Sequence, residues 1–221
     1  MRRLPRGPHS LAREEVLASQ RGRMLEAMAL AVAEKGYPAT TVGDVVGRAG
    51  VSRKTFYEHF EDKEDCFLAA WDAGVEILIT TVARATVEAE GDWRERLRAG
   101  ARAYLETLAA EPAFARTFLI EVLAAGPRAL DRRAEIHARF AELLRSLHER
   151  SRAEDPELPR LPDAVFAATV AAVNELVGDR VRQGRTAELP ELEPVISYLE
   201  LAFLAGHERA AGEIGEELER G

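Results

Sequence analysis

The sequence predicts an all-α protein: a three-helix N-terminal head of helix-turn-helix type, followed by a larger helical body, about nine helices in all. Three observations predict it. Apolar residues recur at i, i+3, i+4 and i+7 along most of the chain, the stripe of core-facing helices. No segment sustains the apolar–polar alternation of a half-buried strand. Glycine and proline at Gly36, Gly50, Gly91, Pro112, Gly126-Pro127, Pro156 to Pro162, Gly184 and Pro190 cut the chain into helix-length pieces.

Residues 1–14 carry Arg2, Arg3, Arg6 and Arg13 among two prolines and a glycine, which predicts a flexible basic arm. It is either a solvated tail or an arm that reaches into a minor groove. A helix follows from about Glu14 to Lys35, with the stripe Leu25, Met28, Ala29 and Val32. Gly36 stands where a left-handed cap is expected, and Tyr37-Pro38 ends the element. Thr41 is a good N-cap for a second helix, with Asp44 as its capping-box partner and Val42, Val45, Val46 and Ala49 as its stripe. Gly50-Val51-Ser52 makes a turn, and Ser52 caps a third helix that runs to Phe60. Asp62 caps a long fourth helix striped by Phe67, Leu68, Trp71, Val75, Leu78, Ile79 and Val82, which Gly91-Asp92 breaks. Further helices are expected at about 92–110, 112–124, 128–152, 163–183 and 191–206, with an acidic tail over 207–221. The head spans 15–63 and the body 64–206.

Net charge is −8, but it is unevenly placed. Residues 1–63 hold 11 Lys+Arg against 8 Asp+Glu, and the remainder holds 19 against 30. A basic end on an acidic chain points to nucleic-acid contact at that end. A lone cysteine, Cys66, excludes an internal disulfide and a cysteine-rich zinc site; it is either a redox sensor or a small packing residue. No apolar run follows the basic start, and the longest apolar stretch, Ala164 to Val173, falls short of the roughly 20 residues a spanning helix needs. A cytoplasmic protein with no membrane contact is expected.

The third helix carries the chemistry. At 100° per residue Phe56 and Phe60 share a packing side, and Lys54, Thr55 and Glu58 lie opposite. Tyr57 and His59 project to the flanks, placed for phosphates on either wall of a major groove. Arg53, Lys54 and Thr55, in the first turn, are placed for base edges or backbone. Glu58 accepts from a cytosine amino group, orients Lys54 or Arg53, or is a solvated surface glutamate. Thr40, Thr41, Ser52 and Lys63 offer hydroxyls, amides and a cation for phosphate clamping.

The run Phe56-Tyr57-Glu58-His59-Phe60, then Glu61-Asp62-Lys63, preceded by Thr40-Thr41 and Ala49-Gly50-Val51-Ser52, resembles the TetR family of bacterial transcription regulators over about residues 18–68. The resemblance implies a three-helix DNA-binding head on an all-α effector-binding and dimerising body. It implies phosphate contacts at Thr41, Tyr57, His59 and Lys63, and a base-reading face at Arg53, Lys54 and Thr55. Val42 departs from it, since some members place a basic residue there.

In such a regulator the last two long helices pair across a two-fold axis. Candidate interface residues are Phe166, Val170, Val173, Val177, Val195, Leu199 and Phe203, beside alanines that allow close approach; burial within one subunit is the alternative. Candidate effector-cavity residues are Trp71, Leu78, Tyr104, Phe118, His137, Phe140 and Asn174, large rings with a few polar tips, or else ordinary core. Catalytic motifs and metal-ligand spacings are missing: His9, His59, His137, His148 and His207 stand apart, and no catalytic residue, cofactor or metal is expected. The function implied is a dimeric repressor of a palindromic double-stranded operator, released by a small hydrophobic or amphipathic effector. The alternatives are an all-α enzyme and a non-specific DNA-binding protein without an effector.

Overall fold

The computed structural model describes residues 10–209 and 212. Among these, nine α-helices and two 3-10 segments are bounded, and there is no strand. The helices are α1 (Ser10–Lys35), α2 (Val42–Ala49), α3 (Arg53–His59), α4 (Lys63–Glu88), α5 (Trp93–Ala110), α6 (Pro112–Leu119), α7 (Pro127–Glu154), α8 (Asp163–Arg182) and α9 (Glu193–Ala205). Short 3-10 segments occupy Glu121–Ala124 and Thr186–Leu192. A last helical stretch begins at residue 207. The chain divides into two compact units after Trp71, within the span of α4. The expected basic arm lies outside the described residues over 1–9, whereas 10–14 belong to α1; most of the acidic tail also lies outside them.

In the first unit each turn has a visible local cause. Thr41 caps α2: its hydroxyl accepts from the Asp44 N–H, while its own N–H and hydroxyl donate to the Asp44 carboxylate at 2.8 and 2.6 Å. Lys35 pairs with that carboxylate at 2.6 Å. Gly50 ends α2 in the left-handed region at φ 64°, where a side chain would be strained. Ser52 Oγ then accepts from the Thr55 N–H at 3.0 Å and starts α3. The buried stripe of α1 is Met24, Ala27, Met28, Ala31 and Val32, one position away from the expected line, which leaves Leu25 and Ala29 half-buried. These residues share the core with Val45, Ala49, Phe56 and Phe60. Arg23 reaches across to the Ala49 carbonyl at 2.9 Å and fixes α1 to the end of α2.

In the second unit one apolar cluster joins Trp93 and Leu97 of α5, Leu147 of α7, Phe166 of α8, Leu201 and Leu204 of α9, and Leu158 of the loop before α8. Ion pairs tie the surface: Arg132 grips Asp72 with two bonds of 2.7 and 3.1 Å, and Arg98 grips Glu193 at 2.9 and 3.1 Å. The expected helix over 112–124 stops at Leu119 and tightens into the 3-10 turn before Gly126. His148 is an inward core histidine, its Nε2 3.0 Å from the Pro159 carbonyl oxygen. By length and composition α4 could cross a membrane, although polar residues interrupt its apolar run. Its Phe67, Trp71, Val75, Leu78 and Val82 are instead buried within the fold.

Candidate nucleic-acid interface and ligand cavity

The first unit exposes a narrow polar strip along α3. Phe56 is fully buried and stacks obliquely on Phe60, with ring centres 5.4 Å apart, which fixes the rotation of the helix. The opposite side therefore faces solvent and carries Arg53, Lys54, Tyr57 and Glu58. Tyr57 is 56% exposed, an unusual position for a ring. Its ring meets Phe56 edge-on at 5.4 Å. Lys54 and Glu58 lie one turn apart with charges 3.9 Å from each other, so Glu58 orients Lys54 without burying it. Gly43 of α2 leaves room for the Arg53 guanidinium, whose Nη2 would stand 3.5 Å from a side chain there.

Several other candidates are occupied internally. Thr40 is buried and its hydroxyl donates to the Gly36 carbonyl at 2.8 Å, so that hydroxyl is not available to a phosphate. Ser52 and Thr55 share a contact of 3.0 Å between their hydroxyls, in service of the cap. Lys63 donates to the Tyr37 carbonyl at 3.0 Å and sits 4.0 Å above the Tyr37 ring; burial lowers its pKa. His59 is half-buried and its Nε2 is enclosed, with no hydrogen-bond partner among the described residues. Thr41 is exposed, but its hydroxyl already serves the capping box.

The second unit contains a cavity of about 710 Å³, its open mouth included. Its enclosed part is only about 80 Å³, below the ~300–1,000 Å³ usual for small-molecule sites, so a large ligand has to spread the surrounding helices. Tyr104, Phe118, His137, Phe140 and Asn174 line it, as do Val82, Leu97, Leu147 and Ile196. Gly100 also lines it, on the side where α5 meets α4: a methyl there would stand 2.7 Å from Thr86 Cγ2, so glycine is required by the close approach. His137 bonds to Asn174, and burial together with Arg133 pushes the imidazole below its usual range. Burial also pushes the Tyr104 phenol up. Trp71 and Leu78 are absent from the lining; both are fully buried in packing instead. Glu200 is the charged lining residue that sequence reasoning missed. It is buried on α9 and lines the cavity, and a signal existed, because it shares a four-residue register with buried Ile196 and Leu204.

On α8 the faces are turned differently from expectation. Phe166 and Val177 are buried and Val170 and Val173 line the cavity, because these larger side chains fill the unit's own core. Ala164, Ala167, Ala168 and Ala171 face outward instead. On α9, Val195 and Phe203 are 40% and 42% exposed and Leu199 is half-buried.

A short capped helix held on two others by aromatic packing, with its cations and a tyrosine outward, is a helix-turn-helix DNA-binding head, here on an all-α chain. Residues 25–70, which span most of the head, match the model of the bacterial regulatory proteins of the tetR family. The transcriptional activator FasR of Mycolicibacterium smegmatis is 33% identical over 87 residues, 39% of each chain. The match thus spans about two fifths of that relative's length. The fold extends further: the fatty acid degradation regulator FadR of Bacillus halodurans superposes with a TM-score of 0.74 at 20% identity, over 90% of this chain and 97% of its own. FadR of Bacillus subtilis, in complex with stearoyl-CoA, gives 0.72 at 18% identity over 84% and 98%. These relatives are regulators, not enzymes.

Proposed function

We propose that this chain is a ligand-responsive transcriptional regulator that binds a palindromic operator as a homodimer and, as a repressor, leaves it when the chain of a long acyl-CoA enters and widens the body cavity. The observation that carries the DNA-binding part is the outward face of α3, which combines cation, phenol and an oriented lysine on a rigidly packed helix. Tyr57 reaches a phosphate; Arg53, Lys54 and Glu58 meet base edges. One such helix reads few base pairs, so two-fold pairing is needed to specify a site. The outward alanines of α8, with Val195, Leu199 and Phe203 of α9, offer an apolar surface for that pairing, which Phe166 and Val177 leave. The effector class rests on the apolar lining of the cavity and on the stearoyl-CoA bound by the B. subtilis FadR. Such an effector acts only through the difference between its affinities for the DNA-competent and DNA-released states. The protein is expected to work in the cytoplasm.

Purified protein mixed at low salt with palindromes flanking its own coding region should retard one of them in a gel. Light scattering should show a dimer that Phe203→Lys converts to a monomer. No retarded fragment at any concentration up to the micromolar range would remove the regulator reading.

A further inference from the structure

The carboxyl group of Glu200 places an enclosed, unpartnered polar atom in the cavity lining. Glu200 is 7% exposed and lines the cavity, and its Oε2 is enclosed with no hydrogen-bond partner among the described residues. Of the other polar groups there, His137 and Asn174 bond to each other and the Thr86 hydroxyl donates to the Ala83 carbonyl at 2.8 Å, while the Tyr104 phenol is a second polar group in the lining. The neighbouring Glu193 is satisfied by Arg98 and by the Ser197 hydroxyl at 2.9 Å, so it presents Glu200 with a like charge. A buried polar atom left unpaired is destabilising, and leucine would suit this register between Ile196 and Leu204. A carboxyl retained under that penalty points to a partner that arrives with the ligand.

We infer that Glu200 sets the specificity of the cavity by hydrogen bonding through its carboxyl to a hydroxyl or carbonyl group borne on the otherwise apolar chain of the effector. The inference rests on the cavity being the effector site and deepens it: the favoured ligand is an oxygenated acyl chain, not a plain one. Burial and the Glu193 charge hold Glu200 protonated at neutral pH, with its pKa raised to about 8. In that state it both donates and accepts, which suits an alcohol or a ketone. A site built around such a bond discriminates against the analogue that lacks the group, because its own polar atom then stays unpaired.

The test measures dissociation constants for stearoyl-CoA and for stearoyl-CoA hydroxylated near the thioester, at mid-chain or at the far end. The proteins are the wild-type chain, Glu200→Gln and Glu200→Leu, each shown by melting curves to be folded. At least one hydroxylated chain should bind the wild type about tenfold more tightly than stearoyl-CoA. Glu200→Gln, which keeps a donor and an acceptor, should retain most of that preference, and Glu200→Leu should abolish it or invert it. Equal affinities for all four ligands in the wild type, or a preference that survives Glu200→Leu, overturns the role of Glu200 and leaves the acyl-CoA reading standing. Failure of every acyl-CoA to bind overturns both.

Discussion

Replacing Glu200 by glutamine should change how the stability of this protein depends on pH. In the folded chain burial raises the carboxyl from 4.5 to about 8, with the Glu193 charge adding to it. Between the two values the folded chain holds a proton that the unfolded chain has released, so rising pH favours unfolding. The stability associated with protonated Glu200 is complete below about pH 4.5 and is lost as pH climbs toward 8. Each pH unit in the window removes about 1.4 kcal/mol, or about 4 kcal/mol between pH 5 and pH 8. For a chain of this size about 1 kcal/mol moves the melting temperature by 2–4 °C, so the wild type should lose roughly 10 °C relative to Glu200→Gln over that range. Glutamine has nearly the same shape and no titration, so the remaining ionisable groups cancel in the difference. Circular dichroism melts of both proteins in matched buffers read it directly. Parallel curves from pH 5 to pH 8 would mean that Glu200 is solvated or paired and not held protonated by burial.

On the DNA side, Tyr57→Ala should weaken binding by a similar factor, about fivefold, on every DNA sequence tested, whereas Lys54→Ala and Glu58→Ala should alter the preferred bases. Equal losses across all sites for all three would contradict the division into phosphate and base contacts. Asp44→Ala should lower the melting temperature at pH 7, because the carboxylate closes the capping box and meets Lys35. Those bonds hold the Asp44 carboxyl well below its usual range, so its contribution is present above about pH 4 and fades as pH falls further, and the two melting curves should converge in acid. Cys66 is buried, and its thiol is pushed up to about 12 by desolvation. Iodoacetamide at pH 8 should therefore label it rapidly only in denaturant, as mass spectrometry would show; fast labelling of the folded protein would reinstate the sensor reading.

The head was legible because its determinants are local. Thr41 with Asp44, Gly50 and Ser52 each act within one turn of the chain, and the structure shows each of them doing so. The helices of the body were legible for the same reason, since Pro112, Pro127 and Gly91 act where they stand. Partnering across the fold was not. Thr40 and Lys63 look available in sequence, yet their hydrogen bonds run to the Gly36 and Tyr37 carbonyls of the loop before α2. The faces of α8 were ambiguous because alanines line one and Val and Phe line the other. Both are apolar, and only packing volume decides that Phe166 and Val177 turn inward. Trp71 and Leu78 resemble Phe118 as residues, but the cavity is assembled from helices far apart in sequence, and periodicity along one helix does not show which apolar residues border a gap.

A DNA-binding head and an acyl-responsive body can be tested together in one titration. A fluorescent palindromic operator is titrated with the protein while anisotropy is read, first alone and then with saturating stearoyl-CoA. One dimer should bind per palindrome, much more tightly than to a scrambled sequence. Operator affinity should fall at least tenfold with the acyl-CoA, within the 5–150-fold typical of coupled sites. Equal affinity for operator and scrambled DNA, or an operator affinity that stearoyl-CoA leaves unchanged, would contradict the proposed function.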